Sequence, residues 1–112
     1  MTETKSTTRK QNPTYTRLRN RHRDFQGLLG TDLPLIGGRS TKAWRDYYAE
    51  RAEAMTERGA GRLAENQDGY DAHLLALLYL ALSSDEPEGA RHVLVDVAAV
   101  ALLAAESLGG DR

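Results

Sequence analysis

The sequence contains no cysteine, three prolines, one phenylalanine, one tryptophan and no long apolar run. Without cysteine there are no disulfides, no thiolate metal sites and no thiol nucleophile, which fits a reducing compartment. The first ten residues lack the apolar stretch of a signal peptide. The longest stretch free of Asp, Glu, Lys and Arg is 72–84, thirteen residues that include His73. A membrane span needs about 18 apolar residues, so this stretch reads as a buried helix. The expectation is a cytoplasmic protein with no membrane partner. Strand-like alternation, internal repeats, zinc-type spacings and glycine-rich phosphate loops are also missing, and Gly37-Gly38 alone says nothing of phosphate.

What is present is a division of charge. Residues 1–45 carry ten Lys or Arg against three acids, a net of +7, and residues 46–112 carry five Arg against thirteen acids, a net of −8. The whole-chain value of −1 conceals this. A basic arm on an acidic body suits a polyanionic partner such as nucleic acid, or an arm folded back on the body.

At 112 residues the chain is long enough for one domain with a modest core. Residues 1–11 are polar and cannot bury enough surface to offset chain entropy, so a disordered basic tail is expected there. The remainder, 12–112, is expected to form a single all-α domain, a four-helix antiparallel bundle. Asn12-Pro13 is a helix start, with Asn as cap and Pro at the first helical position. Tyr15, Leu18, His22, Phe25 and Leu29 then fall within about 80° on a helical wheel, predicting a helix over 13–29 closed by Gly30. The segment 31–39, with Pro34, is a connector whose apolar Leu33, Leu35 and Ile36 are expected to pack on the body.

Ser40 caps a second predicted helix, 41–58, with Trp44, Tyr48 and Met55 on its buried face and Gly59 and Gly61 weakening its end. Asp68, with Asp71 three residues on, caps a third over 69–83, apolar on nearly every side. Asp85 and Glu88 open a fourth, reaching Leu108. The third and fourth are expected to form an apolar hairpin, and a homodimer through 72–108 follows from their excess of Leu, Val and Ala.

Three sets of residues carry chemistry. In the first helix Arg17 and Arg21 lie on one flank of the apolar stripe and Arg19 and Arg23 on the other, able to straddle phosphates, with Arg9 and Lys10 as a trailing electrostatic arm. No aromatic is interleaved among these arginines, so contact would be with the backbone rather than with bases. Equally, the arginine stems can run along the edge of an ordinary amphipathic helix. In the second helix Asp46, Glu50, Glu53 and Glu57 fall within about 60°, opposite Trp44, Tyr48 and Met55. Such a stripe faces water, meets arginines or holds a divalent cation. In the fourth, His92 and Asp96 lie one turn apart and read as a structural polar pair that pins two helices or a dimer. His73 reads as a core or interface histidine.

Over 46–108 the chain resembles small helical proteins of phages and mobile elements that are similar to the MazG-like all-α nucleoside triphosphate pyrophosphohydrolases. The letters that carry it are an ExxE at Glu50 and Glu53 and an ExxD at Glu65 and Asp68, with eleven residues between Glu53 and Glu65. The resemblance implies a Mg²⁺ site on those four carboxylates and pyrophosphate release. Three functions therefore stand at this point. One is an accessory or regulatory protein of a mobile element or phage, acting on nucleic acid or a protein partner. The second is a Mg²⁺-dependent pyrophosphohydrolase, and the third is an acidic interaction module or DNA mimic.

Overall fold

The computed structural model describes residues 12–109. The expected tail, with Arg9 and Lys10, lies outside the described residues. Among those described the fold is all-α with no strand: α1 (Pro13–Leu29), α2 (Thr41–Ala64), α3 (Tyr70–Ser83) and α4 (Pro87–Leu108). They divide into two compact units, one of residues up to Leu33 with those from Leu102 onward, the other Pro34–Ala101. The boundary falls inside α4. No described helix is long and apolar enough to cross a membrane.

In the first unit α1 begins as its sequence dictates. The Asn12 side-chain oxygen accepts from the Tyr15 amide at 3.1 Å, and Pro13 takes the first helical position. The other end of the same side chain donates to Glu106 Oε2 at 2.9 Å, tying the start of α1 to the last turns of α4. Gly30, at φ +75°, returns its amide to the Gln26 carbonyl and ends the helix. No residue of α1 is buried.

The second unit is built on α2 and α3, which pack along their length and are joined by residues 65–69. This corrects the expectation that the third and fourth helices form the apolar hairpin. The reason lies in side-chain size. The buried residues are Ala52 and Met55 of α2, Ala72 and Ala81 of α3, and Ala90 of α4. Alanines let the α2 and α3 axes approach closely, whereas the leucines of α3 stand at the margins, with Leu78 and Leu80 exposed. At Gly59 an added Cβ would lie 3.5 Å from the Ala72 Cβ. Gly59 therefore sits inside the seam, and α2 runs six residues past its predicted end at 58.

The turn after α2 is set by local chemistry. Asn66 takes φ +61°, a left-handed conformation that Asn tolerates better than most residues. Its amide donates to the Leu63 carbonyl at 3.0 Å and that of Gln67 to Arg62 at 2.7 Å, a Schellman closure. Arg62 Nη1 then reaches across the turn to both Asp71 carboxylate oxygens, at 2.8 and 2.7 Å.

Two predicted caps are corrected. The cap of α3 is Gly69, because the Asp68 carboxylate accepts from the Gly69 amide and meets His73 instead of capping the helix. Before α4 it is the Glu86 carbonyl, not Asp85, that accepts the first helical bond, from Ala90. Ser84 Oγ accepts from the Glu86 amide and donates to the Glu86 carbonyl, which folds the turn and places Pro87 at the helix start. Ser40 stands at the predicted cap of α2 but makes no side-chain cap hydrogen bond. Leu33 and Leu35 are exposed, so the connector does not bury its apolar centre as expected.

The turn carries a pH dependence. The Arg62 guanidinium on Asp71 holds that carboxyl below the usual carboxylate range, and the hydrogen bond with His73 does the same for Asp68. A carboxyl lowered in the folded state stabilises fully above its unfolded value of about 3.9 and loses that contribution as pH falls through the folded value. Helix content followed on acid titration is expected to fall more gradually in Asp71→Asn than in wild type below about pH 4. Superimposable acid limbs would show that the Arg62–Asp71 clamp adds nothing to folding.

Candidate nucleic-acid interface

All four arginines of α1 are exposed. Arg21 is engaged within the helix, its Nη1 donating to Asp24 Oδ2 at 3.0 Å and its guanidinium lying 4.9 Å from the Phe25 ring centre. Arg17, Arg19 and Arg23 form no ion pair among the described residues. Asp24 is the helix's one carboxylate, so α1 presents three uncompensated cations on about 9 Å of helix axis. The stripe between the flanks is only half covered: Tyr15, Leu18, Phe25 and Leu29 are all exposed. This arrangement offers fixed positive charge and apolar surface.

The acidic stripe of α2 faces outward, with Asp46, Glu50, Glu53 and Glu57 all exposed. Lys42 Nζ reaches Asp46 Oδ2 at 2.9 Å and is the stripe's own counter-charge. Glu53 and Glu57 border a groove of about 490 Å³ between α2 and α3, walled by Ala52, Ala76, Leu77 and Leu80.

The four carboxylates of the ExxE and ExxD letters are not brought together. Because α2 is continuous to Ala64, Glu53 and Glu65 stand twelve positions apart on one helical path, about 18 Å along the axis. Asp68 is held by His73 and by the Gly69 amide. Among the described residues no group of three or more His, Asp or Glu is placed to share a cation.

His92 and Asp96 are both exposed, and no hydrogen bond joins them among the described residues. The expected structural pair is therefore not made. Both side chains point to water, which satisfies each separately. His73 is likewise exposed, its Nε2 2.9 Å from Asp68 Oδ2, so it is not a core residue.

One cluster lay beyond the reach of sequence reasoning. Trp44, Tyr47 and Tyr48 of α2 gather with Tyr79 of α3. Trp44 stacks on Tyr48 (6.0 Å, 29°) and meets Tyr47 edge-on (5.8 Å, 89°), while Tyr48 stacks on Tyr79 (6.0 Å, 23°). The Arg51 guanidinium lies 5.9 Å from the Tyr79 ring centre, and its buried Nε has no hydrogen-bond partner among the described residues. The predicted face of Trp44, Tyr48 and Met55 is thus only partly buried: Met55 is enclosed, whereas Trp44 and Tyr47 are each 48 % exposed. The helical spacing of Trp44, Tyr48 and Arg51 was the available signal. Tyr79, which completes the stack, is contributed by a separate helix.

The chain matches no protein-family model, no curated protein and no solved structure.

Proposed function

We propose that this protein is a small nucleic-acid-binding accessory protein, acting in the cytoplasm through phosphate contacts made by α1. The observation that carries the reading is the set of three exposed arginines, Arg17, Arg19 and Arg23, without carboxylate partners among the described residues. α1 itself supplies one carboxylate, Asp24, which Arg21 takes, so those cations are open to a polyanion. The net +7 of residues 1–45 adds a long-range attraction that would speed encounter. A regulatory role in a mobile element or phage is the biological setting that fits a small binding protein of this kind.

A second reading is supported by the acid-edged groove between α2 and α3. Its apolar walls with Glu53 and Glu57 at the border suit a basic amphipathic helix, so a protein partner or a second copy of the chain is the alternative occupant of this molecule's surface.

Titration of labelled duplex and single-stranded oligonucleotides at two salt concentrations tests the first reading. Binding should weaken steeply with salt. Each phosphate neutralised contributes about 0.7 to 0.9 to the slope of log K against log salt, so replacing Arg17, Arg19 and Arg23 together with Gln should reduce that slope by about 2 to 3. Arg21→Gln, whose guanidinium is already engaged, should change it less. Absence of binding at low salt would remove the proposal in favour of a protein partner. Pyrophosphate release from a nucleoside triphosphate with Mg²⁺, abolished by Glu53→Gln, would instead favour the pyrophosphohydrolase.

A further inference from the structure

We propose that the cluster of Trp44, Tyr47, Tyr48 and Tyr79 with Arg51 is a stacking platform for unpaired bases, which makes the preferred ligand a single-stranded nucleic acid. The proposal rests on the nucleic-acid reading above and specifies its substrate class.

The argument begins with exposure. Trp44 is the only tryptophan in the chain, and close to half of it, like half of Tyr47, is open to water. Leaving that much aromatic surface exposed costs stability that burial would supply. Yet the rings are not loose, since each is held against at least one other ring of the cluster at 5.6–6.0 Å. A rigid, half-open aromatic surface receives a flat apolar ligand with little further loss of side-chain entropy.

Charge narrows the ligand. Around α2 the cluster occupies the arc from Tyr47 through Arg51 and Trp44 to Tyr48, with Arg45 about 60° beyond Tyr48. Arg45 makes no ion pair among the described residues, and Arg51 is turned onto Tyr79. The acidic stripe of α2 lies across the helix, approaching the cluster only where Glu50 neighbours Tyr47. From α3 the one carboxylate is Asp71, eight positions before Tyr79, about 12 Å along the axis and already bound to Arg62. Flat rings with an arginine held over one of them match a base with its phosphate, the guanidinium adding a planar cation to the same surface. A duplex keeps its bases stacked on each other and cannot offer them to this face.

The sole tryptophan makes the test direct. The full chain is titrated with a twelve-residue oligothymidylate, with a duplex of the same length and with inorganic tripolyphosphate, following Trp44 emission and, for the nucleic acids, the anisotropy of an end label. The expected result is strong quenching of Trp44 by the single strand and little by the duplex or tripolyphosphate. Trp44→Leu and Tyr47→Leu should each weaken single-strand binding about 5- to 150-fold, while leaving the salt slope unchanged. Tyr47→Leu keeps the reporter, so it decides the matter if Trp44→Leu does not fold. Oligonucleotide binding by anisotropy with unquenched Trp44, or with both variants at wild-type affinity, would overturn the platform and leave the phosphate-contact reading standing. That is also the outcome if the face serves a protein partner. Equal quenching by duplex would overturn the single-strand assignment. No binding to either nucleic acid at low salt would overturn both readings.

Discussion

Replacing Met55 with Ala is expected to lower the free energy of unfolding by about 2–5 kcal/mol, the range for deleting a buried large side chain. Met55 is 2 % exposed, and the other buried residues among those described are all alanines. It is therefore the one long side chain fully buried among the described residues, while the larger neighbours of α3 such as Leu74, Leu75 and Leu77 are half-buried. Against a total of about 5–15 kcal/mol for a small domain, the loss would bring the protein close to its unfolding threshold at 37 °C. Urea denaturation followed by helical circular dichroism measures it. A loss under about 1 kcal/mol would mean that α2 and α3 close over the space left behind.

Enlarging the seam should be comparably damaging. Ala72 is 1 % exposed and faces Gly59, where even one added carbon would stand only 3.5 Å from the Ala72 Cβ. Ala72→Leu places three further carbons there, which the helices must part to admit, at about 1–3 kcal/mol or more. Gly59→Ala meets an ordinary contact distance in a helical position, and is expected to be neutral or mildly stabilising because alanine favours helix over glycine by about 1 kcal/mol. The pair of thermal denaturation midpoints separates the two effects. A fall of the Gly59→Ala midpoint as large as that of Ala72→Leu would show that the seam tolerates no addition at all.

Much of the fold was legible where local chemistry decides it. The Asn12-Pro13 start, the apolar spacing behind it and Gly30 bound α1 at both ends, and the all-α class followed from the absence of alternation. Legibility failed where packing decides. Gly59 and Gly61 read as helix breakers, but the close approach of Ala72 gives Gly59 a place inside α2, and Asn66 supplies the left-handed turn instead. Asp68 looked like a cap by spacing, yet His73 competes for the same carboxylate. The leucines of α3 marked a core by composition, whereas the space between helices is set by alanines too small to stand out in a sequence.

The candidate site divides in the same way. The arginines of α1 could be placed on two flanks from periodicity alone. Which of them is free could not, because the pairing of Arg21 with Asp24 and Phe25 is a rotamer choice among several spacings. The aromatic cluster needs Tyr79 from α3 to stack on Tyr48 from α2, thirty-one positions earlier, and no local pattern connects them. The ExxE and ExxD letters show the opposite failure. They suggest convergence, but a helix that stays continuous past Gly61 holds them apart.

The alanine seam has a thermal consequence. Unfolding raises the heat capacity in proportion to the apolar surface newly wetted, about +0.45 cal/K/mol per Å². A centre whose fully buried residues, among those described, are one methionine and four alanines wets less apolar surface when it opens than one of fully buried leucines would. Its enthalpy and entropy of unfolding therefore drift slowly with temperature, and its stability curve is low and broad rather than sharply domed. A protein built this way works over a wide span of temperatures on a thin margin, and gains most when a bound ligand adds its own free energy to the folded side.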